Sequence, residues 1–206
     1  PGRPRLYLID GYALIYRAFH ALGGGAPLRN ARGENTGMAK GVSDFIRRLI
    51  EKHKPDYLGW VNDAGASGRD ELLESYKANR VALAEEEQQD FDTGLERVQQ
   101  ILAGYRIPTI ELEGFEADDV IATLALQGAA REFEVCVVSG DKDLLQLVRP
   151  RIWILNPWHG PPGRTVEKWY GEENAHERLG VPADRVVDYL ALVGDTADNV
   201  PGVKGI

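Results

Sequence analysis

The sequence predicts an α/β protein in which helices cover both faces of a mostly parallel central sheet. Short apolar runs that end in polar residues indicate buried strands at Arg5–Asp10, Asp56–Asp63 and Phe133–Asp141. Between the first two runs, apolar residues recur at helical spacing from Met38 to Ile50. Such alternation is typical of parallel sheets, because the chain must cross back to the same edge before each new strand.

The remaining elements follow from the same two periodicities. Pro55 closes the helix before the second strand, and Arg151–Leu155 is a further strand candidate. More helices are predicted at Leu95–Ala103, Ala117–Leu126, Asp143–Val148, Val166–Tyr170 and Asp184–Val193. The polar segment 65–92 lacks an apolar stripe, and either a solvated helical lid or arch or a mobile surface loop fits it.

A chain of 206 residues that is 43% hydrophobic is long enough for one large core or two small domains, and of these we expect the single domain 1–206. No apolar run approaches the ~20 residues that span a bilayer, and the first residues do not resemble a signal peptide, so no membrane partner is expected. The single Cys136 excludes an internal disulfide and fits a reducing cytoplasm. Four scattered histidines leave no zinc site with usable spacing. We expect a cytoplasmic monomer.

Acidic residues recur where the predicted strands end. Asp10, Asp63 and Asp141 close the first three strands, and ligands of open parallel sheets bind at that edge. Further acids stand at the start of a predicted helix, in the turn after the third strand and near the C-terminus: Glu116, Asp118, Asp119, Asp143, Asp195 and Asp198. Taken singly, each acid fits helix capping or solvation equally well, as Asp184 does. Taken together, nine carboxylates predict one site.

Clustered carboxylates repel one another unless a cation neutralises them. Oxygen ligands without histidine or cysteine favour Mg²⁺ or Mn²⁺, and two such ions ~3.5–4 Å apart stabilise both oxygens of a phosphoryl displacement. Setting the nine acids aside leaves 23 acidic against 24 basic residues, so the net charge of −8 does not exclude a nucleic-acid partner.

Five motifs carry a family resemblance that runs almost end to end: "LIDGYALIYRAFHAL", "YKANR", "FEADDVIATLA", "VVSGDKDLLQLV" and "LALVGDTADNVPGVKGI". In this order they resemble the 5′-nucleases, in particular the 5′→3′ exonuclease domain of bacterial DNA polymerase I and related flap endonucleases. The resemblance implies a PIN-like three-layer α/β/α fold, a helical arch at about 65–92, and the start of a helix-hairpin-helix at about 184–206 that stops midway at Ile206.

The resemblance also implies roles for individual residues. One ion would lie among Asp10, Asp63, Glu116, Asp118 and Asp119, and the second among Asp141, Asp143, Asp195 and Asp198, with Glu116 or Asp118 near both. The implied catalytic residues are Lys77, Arg80 and Asp141; Lys77 and Arg80 would grip the scissile phosphate. Tyr16 would stack a terminal base, although a core aromatic beside Phe19 is the alternative. Arg69 and Lys204 would contact DNA, and a completed hairpin would bind K⁺. Lys142 either pairs with Asp143 or contacts phosphate.

The implied function is two-metal hydrolysis of phosphodiesters at the 5′ ends or flaps of branched DNA, including RNA/DNA primers, in replication and repair. The implied location is the cytoplasm, in association with the nucleoid. Two alternatives remain: a paralogue that binds branched DNA without cutting it, and a metal-dependent phosphatase of small phosphoesters.

Overall fold

The computed structural model describes residues 2–23, 28–65, 67–73, 75–78, 83–160, 164 and 166–205, with only the backbone of 22, 23, 70 and 71. Six strands are present: β1 Arg5–Asp10, β2 Tyr57–Val61, β3 Thr109–Ile110, β4 Glu134–Val138, β5 Ile152–His159 and β6 Val166–Tyr170. The α-helices of the described residues are α1 Gly11–Gly23, α2 Gly37–His53, α3 Arg69–Leu72, α4 Glu85–Tyr105, α5 Ala117–Ala130, α6 His176–Leu179 and α7 Val186–Val193. Short 3₁₀ segments span Asp143–Leu147 and Ala183–Arg185.

The strands form one sheet in the order β3-β2-β1-β4-β5-β6. All neighbours are parallel except β5 and β6, which pair antiparallel. The mostly parallel sheet that the sequence predicted is therefore confirmed. Because β1 lies between β2 and β4, the carboxyl ends of these three strands are side by side.

Two apolar layers bury the sheet. Along β1, Tyr7 and Ile9 face a core shared with α1, α2 and α4, whereas Leu8 faces a core shared with α5 and α7. This alternation follows from the two-residue period of a strand, and it requires helices on both faces. The architecture is the predicted three-layer α/β/α arrangement.

The structure corrects the prediction of a helix at Val166–Tyr170, which is strand β6. Its Trp169 pairs with Leu155 of β5, and Tyr170 pairs with Ile154. A β-branched residue and two aromatic residues in five positions favour a pleated strand, and the hairpin partner supplies the hydrogen bonds.

The interpretation of Asp184 as a helix cap is also wrong. Asp184 lies inside the 3₁₀ segment, α7 begins only at Val186, and the residue before α7 is Arg185, which makes no side-chain capping bond. Pro182 precedes this segment and favours a 3₁₀ turn at its start. Helix α7 then continues from the 3₁₀ turn.

The predicted arch segment contains the four-residue α3, a turn over 75–78 and the start of α4. Helix α4 begins at Glu85, ten residues before the prediction, with acidic Glu86 and Glu87 also in its first turn, where the helix dipole favours negative charge. Within the described residues, no helix combines the length and apolar character needed to cross a bilayer.

Gly11 starts α1 where the chain leaves β1, and its missing side chain is required there. A Cβ at this position would lie 2.2 Å from both Oδ1 of Asn62 and Nε1 of Trp60, which are themselves hydrogen-bonded at 2.8 Å. Trp60 is fully buried, so the clash cannot relax outward. We expect Gly11→Ala to lower the free energy of unfolding by roughly 2–4 kcal/mol in urea titrations.

Gly104 provides the matched control for this substitution. It lies on the exposed side of α4, and no atom stands within 4 Å of a Cβ built on it. Gly104→Ala should stabilise the chain by about 0.5–1 kcal/mol, because alanine favours helix interiors. Equal effects of the two substitutions would contradict the packing at Gly11.

Candidate active site

Acidic side chains meet at the carboxyl edge of the sheet. Asp10 is the last residue of β1, Asp63 follows β2 and Asp141 follows β4, and these strands are neighbours. Asp118 stands in the first turn of α5. The N–H of Ala117 donates to Asp63 at 2.7 Å, so the start of α5 is fixed to the end of β2.

Hydrogen bonds join Asp10 to the turn after β4. The hydroxyl of Ser139 donates to Asp10 at 2.7 Å and accepts the N–H of Asp141 at 3.0 Å. Asp141 in turn accepts the N–H of Asp143 at 2.8 Å, and Asp10 accepts the N–H of Ala13 at 3.3 Å. Both Asp10 and Ser139 are buried, so the ends of β1 and β4 are held in a fixed relation.

Four other carboxylates lie close enough to Asp118 for their charges to act on it. Burial raises the pKa of Asp118 to about 8, and the charges of Asp141, Asp10, Asp143 and Asp63 act in the same direction. Burial raises the pKa of Asp10 to about 6, with Asp141 and Asp63 adding to the effect and bonds from Ser139 and Ala13 opposing it. These five residues form what we call the carboxylate cluster.

Glu116 and Asp119 are turned toward cations of the predicted arch. Arg69 forms a salt bridge with Glu116 and another with Asp119, the second at 2.8 Å. Lys77 donates to Glu116 at 2.8 Å, and the hydroxyl of Tyr76 donates to it at 2.9 Å. Asp119 also accepts the N–H of Glu116 at 3.2 Å, which caps α5.

The pKa of Glu116 shows that these donors outweigh burial. Burial acts to raise it, but hydrogen bonds from Lys77, Tyr76 and Ser67 lower the pKa below its ordinary value. Glu116 is therefore an anion held by protein cations.

Lys142 connects the carboxylate cluster to the C-terminal turn. Its ammonium lies 3.1 Å from Asp143, which confirms the predicted ion pair, and 2.5 Å from Asp195. Burial acts to raise the pKa of Asp195, but the bond from Lys142 and the N–H of Ala197 bring the pKa below its ordinary value. Asp198 contacts the predicted arch segment, because its backbone carbonyl accepts the N–H of Lys77 at 2.9 Å.

The predicted DNA-binding residues have different settings. Tyr16 on α1 is 43% exposed, and its ring lies 5.0 Å from that of Phe91 and 6.3 Å from that of His20. Tyr16 is therefore a surface aromatic whose ring packs on Phe91, whereas Phe19 is buried. Lys204 lies in the exposed terminal turn. Arg80 lies outside the described residues.

In the part of the chain that the structure describes, no three acidic, histidine or cysteine side chains stand in a geometry that holds a metal ion. Among these residues, Glu116 and Asp119 form ion pairs with Arg69, and Asp63 and Asp141 accept backbone N–H groups. All of these side chains are carboxylates, and a ligand set made of carboxylate oxygens fits hard divalent cations.

Three contributing residues were missed by sequence reasoning. Ser139 and Tyr76 lie inside the quoted "VVSGDKDLLQLV" and "YKANR" motifs, and a search for hydroxyl donors beside the acids would have found them. Arg178 carries no such signal. From its position on α6, Arg178 donates a hydrogen bond of 2.5 Å to the carbonyl of Gly140. Its other terminal nitrogen is buried without a hydrogen-bond partner among the described residues.

The raised pKa of Asp118 makes the stability of the metal-free chain depend on pH. The folded pKa of about 8 exceeds the ordinary value of 3.8, so the folded chain binds this proton more tightly than the unfolded chain. The stabilisation is present at acidic pH and is lost as pH rises toward 8. We expect the melting temperature in chelator to fall by about 4–8 °C between pH 5.5 and 8, corresponding to roughly 2 kcal/mol.

The control for this pH dependence is a pair of neutral substitutions. Asp118→Asn should flatten the fall, whereas Asp184→Asn, at an exposed position in the 3₁₀ segment, should leave it unchanged. A melting temperature that rises with pH in the wild-type chain would contradict the cluster.

Comparison with known proteins identifies the class that this fold and site define. Residues 5–180 match the family described as "5′-3′ exonuclease, N-terminal resolvase-like domain". The chain belongs to this family, which confirms the resemblance inferred from the motifs.

Among similar proteins, the DNA polymerase I of Chloroflexus aurantiacus is 40% identical over 206 residues, covering 98% of this chain and 21% of that protein. The 5′-3′ exonuclease of Aquifex aeolicus is 37% identical over 202 residues, covering 98% of this chain and 65% of that protein. The chain thus spans about a fifth of the polymerase relatives. The T5 D15 protein co-crystallised with metal ions shares the fold, with a TM-score of 0.75 at 23% identity over 98% of this chain and 70% of that one.

Proposed function

We propose that this chain is a structure-specific 5′-nuclease that hydrolyses phosphodiester bonds at the 5′ ends or flaps of branched DNA, in replication and repair. The observation that carries the proposal is the carboxylate cluster at the ends of β1, β2 and β4, beside a segment that supplies Arg69 and Lys77. Relatives named 5′-3′ exonuclease and DNA polymerase I, and a T5 flap endonuclease solved with DNA and metal ions, support it.

The proposed cofactors are two or more Mg²⁺ or Mn²⁺ ions. The carboxylate cluster would hold them, and further ligands would come from Asp198 and from three acids that pair with protein cations: Glu116, Asp119 and Asp195. When bound, such ions lower the pKa of water and stabilise developing charge on phosphate oxygens. A K⁺ site is proposed for the helix-hairpin-helix that begins at about 184–206.

The residues of the chain would position DNA for this chemistry. Lys77 is already bonded to Glu116 and stands over the ring of Tyr76, 4.9 Å from its centre. A phosphate in the site would offer Lys77 and Arg69 a further anionic partner, and Arg80 is proposed to join them. The exposed Tyr16 would stack a terminal base, which tolerates any sequence.

We propose further that 1–206 is a single nuclease domain, with an arch at about 65–92, acting as a monomer in the nucleoid-associated cytoplasm. Its DNA partner would carry a 5′ flap or 5′ end, with RNA/DNA primers as natural examples. Lys204 would contact duplex phosphate next to the C-terminal turn.

The test compares three substrates with Mg²⁺ present: a 5′-labelled flap oligonucleotide, a linear duplex of the same sequence and p-nitrophenyl phosphate. We expect cleavage mapped to the flap junction or the 5′ end, slower cleavage of the duplex and no turnover of the small ester. Flap binding without cleavage would indicate a non-catalytic paralogue, and hydrolysis of only the small ester would indicate a phosphatase. Either result would overturn the proposal.

A further inference from the structure

A basic and aromatic groove borders the carboxylate edge on the flank formed by α1, α2 and the β5–β6 hairpin. Two adjoining cavities, of about 520 and 370 Å³, share Phe45, Arg48 and Trp158. We call this feature the Trp158 groove. None of these residues belongs to the site described above.

Trp158 gives the groove an aromatic surface. Its ring packs against Phe45, with the centres 5.8 Å apart, and its backbone N–H donates to Asn156 at 3.0 Å. The guanidinium of Arg17 lies 4.9 Å from the centre of the indole ring. Trp158 is only partly buried. The contacts with Phe45 and Arg17 hold the indole in a defined position at the wall of the groove.

Arg17 and Arg48 line the groove, and neither guanidinium group forms a salt bridge among the described residues. The acids on its walls are neutralised by neighbouring cations: Asp44 by Lys40 at 2.5 Å, Glu51 by Arg47 at 3.0 Å and Glu167 by Lys52 at 2.5 Å. By contrast, no carboxylate of the described residues forms a salt bridge with Arg17 or Arg48, and both side chains are exposed. The groove therefore presents net positive charge beside an aromatic face.

The groove adjoins the turn that carries Asp141. A Cβ built on Gly140 would lie 3.6 Å from the indole of Trp158, and Gly140 directly precedes Asp141. Arg17 follows Tyr16 on α1. A strand bound at the carboxylate cluster thus meets Trp158 and Arg17 within a few residues of the reacting phosphate.

We propose that the Trp158 groove binds an unpaired segment of the DNA strand, with a base stacked on Trp158 and phosphates on Arg17 and Arg48. This inference rests on the proposed nuclease function. The two surplus guanidinium groups match phosphate, and the indole matches a base, so a nucleotide uses both features. An acidic protein segment would use the charge and leave the indole without a partner.

The experiment measures anisotropy of a fluorescent 5′-flap oligonucleotide with Ca²⁺ replacing Mg²⁺, and a gel verifies that the oligonucleotide stays intact. Arg48→Glu should raise the Kd about tenfold and reduce the salt slope by at least about 0.7, the value for one lost single-strand phosphate contact. Arg131→Glu is the control, because Arg131 is an exposed arginine at the end of α5 that lines neither cavity. It should change the Kd less than about twofold.

Stacking is tested separately from charge. Trp158→Ala should raise the Kd about tenfold, and Trp158→Phe should recover most of the loss, because both rings stack a base. Melting curves establish that each variant is folded at the assay temperature. If Trp158→Ala unfolds, Arg48→Glu still tests the groove, because Arg48 is exposed and its substitution leaves the packing intact.

The outcomes separate the two proposals. If the wild-type chain binds and cuts flap DNA, and Arg48→Glu has no larger effect on the Kd than Arg131→Glu, the groove proposal is overturned and the nuclease function stands. A wild-type chain that neither binds nor cuts flap DNA would overturn both. Unchanged DNA affinity in all the groove variants would assign the groove to another partner, which also overturns this proposal.

Discussion

Asp141→Ala is expected to lower single-turnover cleavage of a 5′-flap oligonucleotide by roughly 10³-fold or more with saturating Mg²⁺. Asp141 follows β4 at the centre of the sheet edge, and its charge acts on Asp10, Asp118 and Asp143. Removing it deletes a proposed metal ligand and the acceptor of the Asp143 N–H. Both losses fall on the group of atoms that would act on the phosphate.

The same substitution should leave the metal-free fold intact. Because the charge of Asp141 raises the pKa of its neighbours, its removal relieves repulsion, and the melting temperature in chelator should be unchanged or higher. Asp184→Ala is the control, since Asp184 is exposed and lies in the 3₁₀ segment before α7. Full activity in Asp141→Ala would exclude the carboxylate cluster as the reaction centre.

Removal of divalent cations should abolish cleavage without unfolding the chain. With EDTA, we expect activity to fall by at least about 10³-fold, while circular dichroism stays native, because Lys142, Arg69 and Lys77 compensate part of the acidic charge. Mg²⁺ at about 100 times its Kd should stabilise the folded chain by about 2.7 kcal/mol, which raises the melting temperature by about 5–10 °C.

Specificity of this effect is checked with Asp118→Asn and with monovalent salt. The substitution should reduce the Mg²⁺-dependent rise in melting temperature, whereas K⁺ at equal ionic strength should neither raise it comparably nor restore cleavage. Undiminished cleavage in chelator would contradict a metal-dependent mechanism.

The central sheet could be predicted because its strands carry their own signal. β1 has the predicted bounds, and the β4 run is apolar on both faces, as a strand covered by two layers must be. β6 was taken for a helix because its identity depends on pairing with β5, a contact that a five-residue pattern does not encode. The start of α4 was missed for a related reason, since its first turns are acidic and solvated.

The acids of the site could likewise be predicted, but their present partners could not. Strand ends place Asp10, Asp63 and Asp141 at one edge whatever the side chains around them. The ion pairs of Lys142 with Asp195 and of Arg69 with Glu116 join segments that are distant in sequence. Their formation depends on the three-dimensional path of the chain.

The position of β1 at the centre of the sheet has a consequence for biosynthesis. Arg5 is synthesised long before its partner Glu134, and until β4 leaves the ribosome one edge of β1 has no partner. An unpaired apolar strand edge is prone to association with other chains, and pairing across so long a separation is slow. Asp10 and Asp141 cannot meet earlier either, so the carboxylate cluster is not assembled in the nascent chain until β4 has been synthesised.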